Sequence, residues 1–129
     1  MGRDGDREGG MRSTLEDCGL RKIEVIVGPA KIDPVRTAVL DSGVVHGMTV
    51  EEIRDFAQGN PLESPFPASV IAPRLRIEVA VDAEWAEALV QAICRAADTR
   101  RGQGEDRIFV LPMEDAIRIR TGERGAGVL

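Results

Sequence analysis

The segment Leu75-Arg-Ile-Glu-Val-Ala-Val81 constrains the fold more than any other stretch of the chain. Its apolar side chains recur at every second position. In a strand, alternate residues share a face, so Leu75, Ile77, Val79 and Val81 turn inward while Arg76, Glu78 and Ala80 turn the other way. Asp82 follows at once as a helix N-cap, with Glu84 in the first turn where a negative charge suits the helix dipole. Trp85, Leu89, Ala92, Ile93 and Ala96 then repeat at helical spacing, and Arg95, Arg100 and Arg101 gather towards the positively favoured end. A half-buried strand running straight into an amphipathic helix is one half of a sheet covered by helices on a single face.

The first half of the chain repeats the pattern. Lys22-Ile-Glu-Val-Ile-Val27 places Ile23, Val25 and Val27 on one face, and Gly28-Pro29 ends the strand. Asp33-Pro34 reads as an N-cap with proline at the first helical position. Val35, Ala38 and Val39 form the apolar stripe of a short helix that Gly43 stops. Val44 to Phe56 is ambiguous: Met48 and Val50 alternate like a strand, Ile53 breaks the phase and predicts a bulge, and residues 51–56 alone suit a helix. Ala57 to Pro73 holds four of the seven prolines together with Gly59-Asn60, which predicts an irregular loop, and a loop of about 15 residues is long for a compact domain. Arg107-Ile-Phe-Val-Leu111 is a further strand, and Ile117-Arg-Ile-Arg120 a short fifth one. The order β-α-β-loop-β-α-β, plus that short strand, is the ferredoxin-like split βαβ arrangement, an α+β fold. Residues 1–20 are expected to be a flexible glycine-rich tail, 21–123 the domain with its loop at 57–73, and 124–129 a C-terminal tail. A sheet with two helices on one face leaves the other open, and a core this small is marginal alone, so oligomerisation over the free face is expected.

Composition removes several classes of function. The chain has 129 residues and a formal charge of −5, which argues against a dedicated nucleic-acid binder. Its two cysteines, Cys18 and Cys94, are far apart, and its single histidine is His46, so neither a disulfide scaffold nor a zinc site is expected. Nucleophile schemes of the Ser-His or Cys-His kind would all pass through His46, which has no partner cluster, so no enzyme is expected. Cys94 is read as a core residue beside the helix stripe. No apolar run approaches the roughly 18 residues of a membrane span, and no signal peptide is recognisable; the default compartment is the cytoplasm. Tyrosine is absent altogether.

Two groups of residues could bind an anion. Gly102-Gln-Gly104, between helix and strand, lets the backbone approach a ligand and offers successive N–H groups, with Arg107 at the following strand start. A helix C-cap and turn would use the same residues. Arg118 and Arg120, two apart in a strand, would project side by side while Ile117 and Ile119 pack inward. Like charges so placed repel unless an anion lies between them, and the arginine fork suits phosphate oxygens. Two solvated arginines, or arginines paired to Glu78 or Glu123, are the alternative.

These residues carry a resemblance. Lys22-Ile-Glu-Val-Ile-Val-Gly-Pro-Ala-Lys-Ile-Asp-Pro-Val35 resembles the opening of the PII signal-transduction proteins. Gly47-Met-Thr-Val50, Arg76-Ile-Glu-Val79, Arg107-Ile-Phe-Val110 and Ile117-Arg-Ile-Arg-Thr-Gly-Glu123 match further blocks of that family in order, over about 22–123. The resemblance implies a ferredoxin-like homotrimer that binds adenine nucleotides (ATP, ADP or AMP, with Mg compatible with ATP) in clefts between subunits. It also implies a T-loop, here 57–73, that docks on a transporter or enzyme in nitrogen or inorganic-carbon metabolism. The family's phosphate-binding residues fall on Arg107, Arg118 and Arg120, its glycine-rich loop on Gly102, Gln103 and Gly104, its threonine near the adenine on Thr49, and Glu78 follows its Ile-Glu strand. For a second effector, such as 2-oxoglutarate, the matching positions are Gln58, with a gap, and Arg74 in place of a lysine.

The departures from the family narrow this expectation. The loop is about four residues shorter, the tyrosine modified in the common members is absent, and Glu105-Asp106 stands where a small residue is usual. Nucleotide binding carries over to this chain; oxoglutarate sensing and tyrosine modification do not. A ferredoxin-like module that binds small metabolites or anions without nucleotide preference is the alternative.

Overall fold

The computed structural model describes residues 19–45, 47–58, 69–97 and 106–129, with the backbone alone at 57–58 and 69–72. In chain order the elements are β1 (Leu20–Val27), a 3-10 turn (Pro29–Lys31), α1 (Ile32–Asp41), β2 (Thr49–Gln58), β3 (Ser69–Asp82), α2 (Ala83–Ala96), β4 (Arg107–Met113) and a last 3-10 turn (Ala126–Val128). The four strands form one sheet in the order β2-β3-β1-β4, and every neighbouring pair is antiparallel. This is the ferredoxin-like arrangement the alternation predicts.

The core lies on the helix side of the sheet. Ile23, Val25 and Val27 of β1 stand opposite Val79, Ile77 and Leu75 of β3, and all but Leu75 are buried. Val35 and Val39 of α1 and Leu89 and Ile93 of α2 close over them. Each such side chain removed from water contributes about 1.5–3 kcal/mol relative to exposure. Strand β1 begins earlier than the expected Lys22, because Leu20 is itself buried and paired with Asp82 and Met113. The tail before residue 19 lies outside the described residues.

Helix α2 starts as expected, with the Asp82 carboxylate accepting from the Glu84 N–H at 3.2 Å. Its buried face is Ala86, Leu89 and Ile93, however, and Trp85 and Cys94 are exposed. The true stripe follows the 3- and 4-residue steps from Ala86, which rotates Trp85 and Cys94 out of the core. Helix α1 starts one residue before Asp33, after the 3-10 turn, with Lys31 at the N-cap and no side-chain cap; Asp33 therefore supplies first-turn charge instead of the cap. Gly43, at φ +73°, takes the left-handed conformation that lets the chain leave the helix.

Two expectations about strands are corrected. Strand β2 runs from Thr49 to Gln58 with an unbroken register against β3, from Thr49↔Glu78 to Gln58↔Ser69, so there is no bulge and no helix. Ile53 breaks the alternation because it stands on the open face, opposite Arg74. Much of the segment expected to be an irregular loop is strand: residues 57–58 and 69–73 belong to β2 and β3, and only 59–68 lie outside the described residues. Pro73 fits inside β3 because β1 pairs with β3 only as far as Val27↔Leu75. Beyond that point one side of β3 is an open edge, where a missing N–H costs no ladder bond.

The expected fifth strand is reduced to a single bridge, Ile117↔Arg124. Gly122, at φ +77°, closes a tight turn in which its N–H donates to the Arg118 carbonyl at 2.7 Å and the Arg118 N–H donates to the Glu123 carbonyl at 2.9 Å. Residues 119–121 thus form a turn tip, and strand alternation is lost. Ile117 and Ile119, expected to pack inward, are 51% and 98% exposed in the single chain. Among the described residues, no helix is long and apolar enough to cross a membrane.

Candidate functional site

The open face of the sheet carries rows of side chains set by the register. Thr49, Glu78, Glu24 and Phe109 form one row across all four strands, and Glu51, Arg76, Ile26 and Arg107 form the next. Past the second row β1 ends at Val27, and the chain turns away at Gly28. The ends of β3 and β4 therefore flank a position where no strand runs between them, and charged side chains fill it.

Asp106, just before β4, accepts there from the Gly28 N–H and from Arg74 Nη1 through the same oxygen, Oδ1, each at 3.3 Å. The carboxylate thus replaces the ladder partner that Gly28 lacks, and both side chains of the Arg74–Asp106 pair are largely covered, at 13% and 16% exposure. Next to it, Arg107 grips Asp55 with both terminal nitrogens: Nη1 donates to Oδ2 at 3.1 Å and Nη2 to Oδ1 at 2.9 Å. Side-chain exposure is 39% for Arg107 and 16% for Asp55. This parallel two-bond geometry is the strong form of an arginine–carboxylate contact. The hydrogen bonds from Arg107 hold the Asp55 carboxyl below its usual range against the opposing effect of burial, and the charges of Arg107 and Arg74 add to this.

Among the residues singled out from the sequence, Arg74 and Arg107 therefore meet at this sheet end. Thr49 and Glu78 are brought together as register partners one or more rows away, with Thr49 exposed at the strand start. Glu78 is engaged by Lys22 Nζ at 3.2 Å and approached by Arg76 Nε at 3.8 Å. Arg76 pairs with Glu51 as well, through Nε at 2.8 Å and through Nη2.

Arg118 and Arg120 are not side by side in a strand. Arg118 Nη1 donates to Glu123 Oε1 at 2.7 Å, one of the alternatives open in the sequence, while Arg120 is exposed at the turn tip. Gly102, Gln103, Gly104 and His46 lie outside the described residues, and of Gln58 only the backbone, paired with Ser69, is described.

Sequence reasoning missed Asp55 and treated Asp106 only as a departure. The available signal was phase: Asp55 follows Glu51 and Ile53 at steps of two, so a continuous β2 puts it on the face of Arg74 and Arg76. On the helix side, a cavity of about 610 Å³ between α2 and β4 is lined chiefly by Val25, Val27, Val90, Ile93 and Cys94. Its wall is mostly apolar, and Asp106 and Arg107 of the charged cluster stand at its edge. Among the described residues, no group of three or more His, Cys, Asp or Glu side chains could hold a metal.

The family model described as Nitrogen regulatory protein P-II matches residues 20–123. The Nitrogen regulatory protein P-II homolog of Arabidopsis thaliana is 38% identical over 117 residues, which is 86% of this chain and 58% of that protein. The chain thus spans little more than half of that plant relative. The Nitrogen regulatory protein P-II of Azospirillum brasilense is 37% identical over 114 residues, 85% of this chain and 100% of that protein. The protein of the same name from Cereibacter sphaeroides is 39% identical over 110 residues, 82% of this chain and 96% of that protein. Among solved structures, Arabidopsis thaliana PII bound to citrate is similar with a TM-score of 0.67 and 32% identity, covering 86% of this chain and 92% of that one.

Proposed function

This chain belongs to the nitrogen regulatory protein P-II family, a family of signal-transduction regulators, and from that premise we propose that it binds adenine nucleotides as a homotrimer and reports their occupancy to a protein target through the loop between β2 and β3. The observation that carries the nucleotide reading is Arg107, whose terminal nitrogens already hold an anionic group in two parallel hydrogen bonds. A phosphate offers the same pair of oxygens to the same fork. Gly102 to Gly104 precede Arg107 in sequence, and successive glycine-rich N–H groups suit the rest of a phosphate chain. Arg118 and Arg120 supply further cations, and Thr49 and Glu78 the contacts to the base and sugar. Gln58 and Arg74 remain the positions for a second effector. The target is a transporter or enzyme in nitrogen or inorganic-carbon metabolism, and the protein acts as a regulator in the cytoplasm, not as an enzyme.

A ligand biases such a protein only to the extent that it binds one conformation better than another. Isothermal calorimetry with ATP (with and without Mg), ADP, AMP, cyclic nucleotides and bicarbonate tests the reading. Saturable binding of one adenine nucleotide per chain is expected, and heat from none of them overturns it. The citrate bound to the Arabidopsis relative favours a second reading, an anion-binding module without nucleotide preference. Citrate in the same titration separates the two, because binding of citrate with no binding of nucleotide leaves only the second.

A further inference from the structure

We propose that Asp55 is an internal competitor for the phosphate site: a carboxylate that occupies Arg107 in the empty protein and that an incoming phosphate chain must displace. The inference rests on the nucleotide reading of Arg107 and adds a determinant of affinity and selectivity that the reading does not contain. Asp55 takes both terminal nitrogens of Arg107, at 2.9 and 3.1 Å, and is 16% exposed, so this is no loose surface pair. A ligand oxygen cannot take the same two N–H directions while the carboxylate holds them. The two bonds must be exchanged, and their strength is subtracted from the affinity of every ligand that uses Arg107.

The displaced carboxylate has somewhere to go. Asp55 already feels the charge of Arg74, which stands two positions along β3 from Ala72, its register partner. Arg74 in turn is held by Asp106, the neighbour of Arg107 in the chain. Two arginines and two aspartates therefore alternate around the end of β1, and an anion arriving at Arg107 shifts the balance of the whole set. Asp55 sits in β2, opposite the β3 end, so occupancy of the site acts on the β2–β3 pairing through this one side chain.

Titration calorimetry on the full chain tests the proposal, with ATP and inorganic tripolyphosphate as separate probes. Asp55→Asn and Asp55→Ser should tighten both by roughly ten- to hundredfold, the scale of hydrogen bonds to a charged group. In an Arg107→Ala background the same substitutions should change neither affinity, because the competitor then has nothing to occupy. A parent that binds ATP, with Asp55→Asn and Asp55→Ser no tighter, overturns the competitor and leaves the nucleotide reading in place. Tripolyphosphate tightened by the substitutions while ATP binds none of the proteins supports the competitor and removes the nucleotide reading. No binding of either probe by any of the proteins overturns both. A two-state thermal melt of each variant shows that affinities are read on folded protein.

Discussion

Asp55 and Arg107 are 52 residues apart in sequence and joined by two hydrogen bonds that bind one edge strand of the sheet to the other. In the order β2-β3-β1-β4 the strands that carry them are not neighbours in the sheet. The contact is possible because β1 ends at Val27 and turns away at Gly28, which lets a long side chain from β4 cross the vacated position. The relationship makes the candidate phosphate ligand a structural tie as well, so its substitution has consequences for stability that can be separated from binding by pH.

Removing the Asp55 carboxylate should destabilise the ligand-free protein and remove part of its acid sensitivity. With Arg107 more than a third exposed, solvent screening limits the loss in Asp55→Asn to about 1–2 kcal/mol at pH 7. The folded-state pKa of Asp55 lies below its unfolded value, so the pair contributes fully above the unfolded carboxylate range, about 3.9, and the contribution is lost as pH falls through the folded value. Urea unfolding of parent and variant should show a constant difference at pH 7 and 5, and a shrinking one below about pH 4. A difference that instead grew on acidification would contradict the sign of the shift.

The helix-side core should be far less tolerant than the outer surfaces. Ile77 is fully buried between β1 and the helices, and Ile77→Ala should cost about 2–5 kcal/mol in urea unfolding. Leu40, 49% exposed on α1, should lose no more than about 0.5 kcal/mol on the same truncation. Equal losses at the two positions would mean that α1 is covered by something beyond the single chain.

The strand and helix order was legible because Ile23–Val27 and Leu75–Val81 each carry one uninterrupted apolar face, and because Asp82 and Gly43 punctuate helices by local chemistry that needs no tertiary context. The extent of the β2–β3 arm was not legible. Proline ordinarily argues against a strand, and Pro73 is admissible only because β1 stops two residues short of it, a fact of register. Ile117 to Arg120 misled in the other direction: their alternation is that of a strand, but Gly122 folds the chain back before a ladder can form. Of the site, Arg107 was legible from its place after the glycine-rich segment. Asp55 was not, since its partner is fixed by where a third strand ends.

The open sheet face should be covered by other copies of the chain. Phe109 stands on that face in the row of Glu24 and Glu78, Leu111 in the row of Lys22, and they are 45% and 42% exposed in the single chain. Light scattering should give three chain masses for the parent. Phe109→Glu places a carboxylate in the row of Glu24 and Glu78, where like charges repel, and should lower the mass. A parent that runs as a stable monomer would remove the inter-subunit cleft together with the trimer.

Arg118 and Arg120 should differ without ligand and agree with it. Arg118 is held by Glu123, but the two side chains are 40% and 56% exposed, so the pair is worth at most about 1 kcal/mol and exchanges readily for a phosphate. Arg120 stands exposed at the turn tip. In thermal melts of the ligand-free protein, Arg118→Ala should therefore be slightly less stable than the parent and Arg120→Ala indistinguishable from it. In calorimetry with ATP each should lose about 1.5–3 kcal/mol, one to two decades in dissociation constant. The double variant should lose less than the sum, because both cations act on one anion. Glu123→Gln separates the roles further: it frees Arg118 without removing it, so it should leave ATP binding intact or tighter while reproducing the small stability loss of Arg118→Ala. If Arg118→Ala and Arg120→Ala bind ATP, ADP and AMP as the parent does, this turn has no part in holding phosphate and the cation at Arg107 must act without it.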